Sequence, residues 1–249
     1  IDACVASYGR IDGIYANAGV SGGGKSVTEL TVEDWQRTLG VNTIGVFLAV
    51  KHSLKHFLNQ GHGAILCTAS VAGLRANAGG VDYSASKAGV ISIVQTTAYQ
   101  TYGSGVRINA ICPGLIETGM TKPTFERARA RGNEDKIGQI NPMKRFGQPS
   151  EIGEMACFLL SDRASYVNGQ AVAVDGGLSA SHPGSTPEHD ADLRGRSVQA
   201  LKSASGISIN TSESAVSPCS SPSVRGSSRA KKNRAVCFFA TPKSSSLAW

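Results

Sequence analysis

GAILCTAS (63–70), YSASKAGVISIVQTTAYQTYG (83–103) and VRINAICPG (106–114) read in succession as a buried strand, a helix and a second buried strand. The outer two are short apolar runs closed by small or turn-forming residues, and the middle one keeps helical periodicity. A helix between two strands makes them parallel, because such a crossover needs a dozen residues or more and winds right-handed. Upstream, IDGIYANAG (11–19) reads as another buried strand, closing on Gly19. Between these, TVEDWQRTLGVNTIGVFLAVKHSLKHFLNQ (31–60) is predicted as one long helix, with Thr31 as N-cap and Asp34 completing an approximate capping box. Downstream, SEIGEMACFLLSD (150–162) reads as a helix opened by Ser150 after Pro149, and QAVAVDGG (170–177) as a last strand ended by two glycines. Strands alternating with helices in this way specify an α/β fold around a parallel sheet.

The pattern stops after Gly177. Of thirty serines in the chain, eighteen lie from Ser179 onward, and apolar periodicity disappears there. That stretch also holds nine Lys/Arg against four Asp/Glu, so most of the net charge of +7 belongs to it rather than to the sheet. Too little apolar surface is available to offset the entropy of ordering it. The expected organisation is therefore a folded region over residues 1–181 and a Ser-rich basic tail over 182–249, mostly disordered. Arg229, Lys231, Lys232 and Arg234 could make the tail an arm for nucleic acid. No folded nucleic-acid module accompanies them, so nucleic acid ranks below a small-molecule partner.

Six cysteines show no CxxC pair, and Cys67, Cys112 and Cys157 lie in apolar runs, which suits a reducing, cytoplasmic setting. No run approaches the ~18 apolar residues of a membrane helix, and IDACVASYGR has no signal-peptide pattern. His52 and His56 stand at i and i+4, and a helix-surface pair is preferred there to a metal site; no metal is expected.

Chemistry gathers where the strands end. IDGIYA runs into Asn17, Ala18 and Gly19; AILCT runs into Ser70; RINAIC runs into Pro113 and Gly114. In an open parallel sheet, ligands bind beyond the carboxyl ends of the strands, so these clusters should face one crevice. Tyr83 and Lys87, at i and i+4, should share one helix face, and an ammonium beside a phenol favours the phenolate. Such a phenol can exchange a proton with an alcohol or carbonyl oxygen near neutral pH. A Tyr-x-x-x-Lys pair alone arises often by chance; its spacing from Ser70 and the three strand ends make chance a poor account.

Taken together these residues resemble the short-chain dehydrogenase/reductase family. Ser70, Tyr83 and Lys87 match its Ser-x12-Tyr-x3-Lys signature, and Ala16-Asn17-Ala18-Gly19 matches NNAG with one departure at Ala16. Asn42 falls on the family's helix asparagine, Pro113-Gly114-Leu115-Ile116-Glu117-Thr118 on PG-x-I-x-T, and Asp175-Gly176-Gly177 on its closing strand. The resemblance implies NAD or NADP as cofactor and interconversion of a secondary alcohol and a ketone. It implies Tyr83 as acid/base, Lys87 as the group that lowers its pKa and binds the nicotinamide ribose, and Ser70 as the group that polarises the substrate oxygen. Asn42 would anchor a water linking Lys87 to solvent. Asn17, Ala18 and Gly19 would line the cofactor crevice, with Pro113, Gly114, Ile116 and Thr118 around the nicotinamide. A homo-oligomer, dimer or tetramer, is also implied.

The family opens with a strand, a TGxxxGxG turn and a helix that receives the pyrophosphate. This chain has no such turn: VSGGGK (20–25) follows the wrong strand and reads as a flexible loop. The expected fold is thus a Rossmann-like doubly wound sheet lacking its first three strands, whose IDGIYA strand would be an unprotected edge. NAD cannot be told from NADP, since the deciding residue follows the family's second strand. The chain itself is expected to bind dinucleotide weakly and turn over little. The alternative reading is a catalytically inactive remnant acting at most as an interaction protein. The segment after Thr118, with Met120, Phe125, Met143 and Phe146, would form a lid over substrate.

Overall fold

The computed structural model describes residues 1–181 and a short strand at 236–239. Five parallel strands form one sheet in the order β4-β3-β2-β1-β5. They are β1 (Gly13–Ala16), β2 (Gly63–Thr68), β3 (Val106–Pro113), β4 (Ala171–Val174) and β5 (Val236–Phe239). The helices are α1 (Asp2–Tyr8), α2 (Val32–Leu39), α3 (Gly45–Gln60), α4 (Val81–Gln100), α5 (Lys122–Ala130) and α6 (Pro149–Leu160).

Helices cover both faces, as a doubly wound sheet requires. On one face Ile14, Ile65, Cys67, Ile108 and Ala110 pack against Val46 and Val50 of α3 and Val90 and Val94 of α4. On the other, Tyr15, Leu66 and Ile111 meet Ala156 and Leu159 of α6. Successive strand residues point to opposite sides, so the unbroken apolar runs at 63–70 and 106–114 are what a sheet buried on both faces demands.

Three departures from the sequence reading matter for the site. The long helix over 31–60 is interrupted: Gly40–Ile44 forms a π turn that separates α2 from α3. Its capping box, Thr31 with Asp34, is present. Helix α6 begins one residue early, at Pro149, with the Glu151 carboxylate accepting from the Gln148 N–H at 2.7 Å. Proline supplies the preset φ and lacks only a donor that the first turn would not use. Thirdly, β1 is not an open edge. It pairs with β2 on one side, Gly13 to Ala64 through Ala16 to Cys67. On its other side it pairs with β5, Gly13 to Val236 through Ala16 to Phe239. Four residues of the tail are therefore a strand; the rest of 182–249, read from sequence as disordered, lies outside the described residues. Among the described residues no helix is long and apolar enough to cross a membrane.

Candidate active site

Because every strand runs the same way, the ends of β1, β2 and β3 meet along one rim of the sheet. Ser70 stands just beyond β2 in extended backbone, and its Oγ caps a single 3-10 turn (Val71–Gly73) by accepting from the Ala72 N–H at 3.1 Å. That turn rests on α4: a Cβ at Gly73 would stand 2.8 Å from the backbone carbon of Lys87. The close approach brings Ser70 to the first turns of α4, where its hydroxyl tempers the Tyr83 phenol.

Lys87 follows one turn after Tyr83 and is only 2% exposed. Its Nζ donates to the Thr68 carbonyl oxygen at 2.8 Å and lies 5.7 Å from the centre of the Tyr83 ring. Burial lowers its pKa to about 8, with Cys67 and Cys112 opposing. The phenol moves the other way: burial raises Tyr83 above its ordinary value, and the Ser70 hydroxyl partly offsets this. The net shift of the phenol is upward because desolvation is its largest cause, while the Lys87 ammonium is held on the Thr68 carbonyl.

Asn42 sits in the π turn, fully buried. Its Oδ1 accepts from the Val20 N–H at 2.8 Å, while Nδ2 donates to the Val20 carbonyl and to Ser86 Oγ, both at 3.0 Å. A π turn inside an α-helix is rare and re-aims the residue it contains. Here it turns Asn42 towards the rim. Gly19 lies beside it: a Cβ there would stand 3.3 Å from Asn42 Oδ1 and 3.4 Å from Lys87 Nζ. Asn17 Oδ1 accepts from the Thr68 hydroxyl at 2.7 Å, tying the ends of β1 and β2 together.

Beyond β3, Pro113 ends the strand and Gly114 passes Asp175 so closely that a Cβ would meet its Cα at 2.7 Å. The loop then closes on itself. Thr121 Oγ1 donates to the Ile116 carbonyl at 2.6 Å and accepts from the Thr118 N–H at 2.9 Å. Asp175 caps the turn after β4, accepting from Gly177 N–H at 2.9 Å and Ser179 N–H at 2.7 Å. From the segment after Thr118, the Met120 methyl reaches across the crevice to 4.0 Å from the Cβ position of Gly19. Phe125 and Phe146 meet edge to face, with centroids 4.9 Å apart.

Asn42, Ser70, Tyr83, Lys87, Gly19 and Asn17 are thus brought to one rim. Met143 is more than half exposed at 58%, and lines a cavity with Asn141 and Gly177. Sequence reasoning did not find three features: the Thr68 carbonyl as partner of Lys87, the buried Asp82, and the Val20 clasp on Asn42. Backbone partners carry no residue signal. His56 pairs with Asp2 at 3.0 Å on the surface of α3, and among the described residues no cluster of three metal-ligating side chains occurs.

A family model described as enoyl-(acyl carrier protein) reductase matches residues 1–179. The chain belongs to the short-chain dehydrogenase/reductase family. It is 40% identical over 178 residues to a 3-oxoacyl-(acyl-carrier-protein) reductase of Thermotoga maritima, covering 72% of this chain and 70% of that one. It is 37% identical over 185 residues to a levodione reductase of Leifsonia aquatica, covering 73% and 69%. The crystal structure of levodione reductase superimposes with a TM-score of 0.69 at 38% identity, over 73% of this chain and 71% of that one. ElxO with NADP bound superimposes with a TM-score of 0.67 at 28% identity, over 72% of each chain. These short-chain dehydrogenase/reductase proteins are oxidoreductases, and the family match over residues 1–179 takes in strands β1 to β4.

Proposed function

We propose that this rim interconverts a secondary alcohol and a ketone, with Tyr83 as the proton-transfer group, Ser70 as the oxygen-polarising group and Lys87 as the local cation. The observation that carries the reading is the convergence of Ser70, Tyr83 and a buried lysine where three strand ends meet: the turn capped by Ser70 packs on the Lys87 backbone, and Lys87 Nζ lies 5.7 Å from the centre of the Tyr83 ring. In the reduction direction a carbonyl oxygen placed between the two hydroxyls accepts from Ser70 and takes the Tyr83 proton. In the oxidation direction Tyr83 receives that proton back. Lys87, with its pKa near 8, is charged at neutral pH, and its field favours the phenolate at the moment the proton leaves. The room beside Gly19 lies within reach of both Asn42 Oδ1 and Lys87 Nζ, which suits a water that resupplies the proton.

The same residues fit the nicotinamide-ribose half of NAD or NADP. Gly19 leaves space, Lys87 offers donors for ribose hydroxyls, and the Pro113–Thr118 loop supplies a wall; bound there, the dinucleotide supplies the hydride. Among the described residues no glycine-rich turn from strand to helix stands ready for the pyrophosphate. The second reading, a non-catalytic remnant, is the one that weak dinucleotide binding by these 249 residues would favour. Exposed Phe47 and Leu48 on α3 and Tyr99 on α4 support a homo-oligomer.

The test is turnover of cyclic and linear secondary alcohols by the 249-residue chain with saturating NAD or NADP, beside Tyr83→Phe. Loss of the phenol should reduce any turnover by a factor on the order of 100 or more. Turnover that survives Tyr83→Phe would overturn the assignment. Stoichiometric micromolar binding of NADH or NADPH in calorimetry would sink the weak-binding expectation and the remnant reading together.

A further inference from the structure

Asp82 precedes Tyr83 in the first turn of α4, and although it bears a carboxylate it is 1% exposed. Thr38, fully buried on α2, donates its hydroxyl to Asp82 Oδ2 at 2.8 Å. On the other side lies the loop from Val20 to Gly24. A Cβ at Gly22 would stand 2.4 Å from Asp82 Oδ1 and 2.6 Å from Oδ2, so the carboxylate packs directly on the loop backbone. The loop is held at both ends as well. Val20 clasps the Asn42 amide through its N–H and carbonyl, and Lys25 pairs with Asp34 of α2 at 2.7 Å. The glycines thus form a fixed wall between α2 and α4, not the flexible loop that their composition implies.

We propose that Asp82 is a positioning residue for the proton-handling site: held by Thr38, its carboxylate seats Gly22 and so fixes the Val20 clasp that orients Asn42. The inference rests on the reading of Asn42 and Tyr83 as parts of one site. Glycine at 22 and a short carboxylate at 82 are then matched shapes. A longer side chain at 82, or any side chain at 22, lifts the loop. The burial of a charge in the first turn of a helix is tolerable because that turn's N–H groups and the helix dipole favour an anion.

The test uses the isotope-labelled full chain and four variants, Asp82→Ala, Asp82→Asn, Thr38→Val and Gly22→Ala. Amide exchange is followed at Val20 and at the Asn42 side-chain NH2, with β3 amides as the internal reference. Losing the Thr38 bond or the carboxylate should speed exchange at Val20 and Asn42 roughly ten-fold, as expected for one lost hydrogen bond. The β3 amides should stay at the wild-type rate. Asp82→Asn keeps the shape and an acceptor for Thr38, so it should restore the protection lost in Asp82→Ala. Gly22→Ala should reproduce the loosening from the opposite side. Unchanged exchange at Asn42 in folded Asp82→Ala, or equal acceleration in β3, overturns the proposal. Where the wild-type chain turns over alcohol, Asp82→Ala should lower kcat more than it raises KM; a change in KM alone also overturns it. A wild-type chain without turnover counts against the proposed function, while the exchange data still decide the role of Asp82.

Discussion

Replacing Lys87 with methionine should make this fold more stable. The lysine is 2% exposed and burial lowers its pKa to about 8, against 10.5 for the free side chain. Between those values the unfolded chain binds more protons than the folded one, so folding stability rises with pH across that window. Below pH 8 the whole penalty is in force, about 3 kcal/mol at roughly 1.4 kcal/mol per pKa unit. Methionine keeps the unbranched stem and carries no charge. It forfeits the Nζ bond to the Thr68 carbonyl, worth about 1 kcal/mol. The net gain at pH 7 is then about 2 kcal/mol, shrinking to near zero by pH 9.5, where about half of the penalty has gone. Urea unfolding followed by circular dichroism, on both proteins at both pH values, measures this directly. A Lys87→Met protein that is less stable at pH 7, or that differs by the same margin at both values, would refute the account. The expected pairing of higher stability with lost proton transfer would mark Lys87 as a residue kept at the fold's expense.

Three further outcomes follow from neighbouring contacts. Ser70→Ala removes the hydroxyl that tempers the Tyr83 phenol, so the phenol should titrate higher than in wild type; ultraviolet difference titration against Tyr83→Phe isolates that group. Gly73→Ala drives a methyl to 2.8 Å from Lys87 backbone and should destabilise the chain by about 2 kcal/mol, read from the denaturation midpoint. Arg107 donates to the Leu159 carbonyl at 2.9 Å and the Ser161 carbonyl at 3.0 Å, closing the end of α6. Arg107→Met should cost about 2 kcal/mol in the same assay, since two carbonyls lose charged donors.

The α/β architecture was legible because β1, β2 and β3 are short, apolar and buried on both faces, and helix α4 runs unbroken for twenty residues between two of them. The grouping of Ser70, Tyr83 and Lys87 was legible because their spacing sets them at the end of β2 and on the first turns of the helix that follows. What stayed hidden is backbone. Nothing in GVNTIGVF announces a π turn, since the same residues suit an α-helix, and only the clasp on Val20 explains the local widening at Asn42. The direction of the Tyr83 shift was also out of reach, because it depends on how deeply α4 is covered rather than on which residue stands four positions away. Likewise VSGGGK reads as pliable until Asp82, sixty residues distant in sequence, is found beneath Gly22. Short apolar tail residues such as Val236–Phe239 carry too little pattern to stand out from their surroundings.

Strand β5 is also the last part of the sheet to be synthesised. When β1 leaves the ribosome, its partner on that side has yet to be translated, and β2, β3 and β4 all emerge first. Joining Gly13 to Val236 closes the longest loop in the sheet, so this pairing carries the greatest entropy cost and forms late. During that interval β1 offers unpaired N–H and C=O groups to any extended chain nearby, including other nascent copies on the same messenger. Translation speed between β4 and β5 therefore sets how long the growing protein is exposed to mispairing, and slowing it should lower the soluble yield.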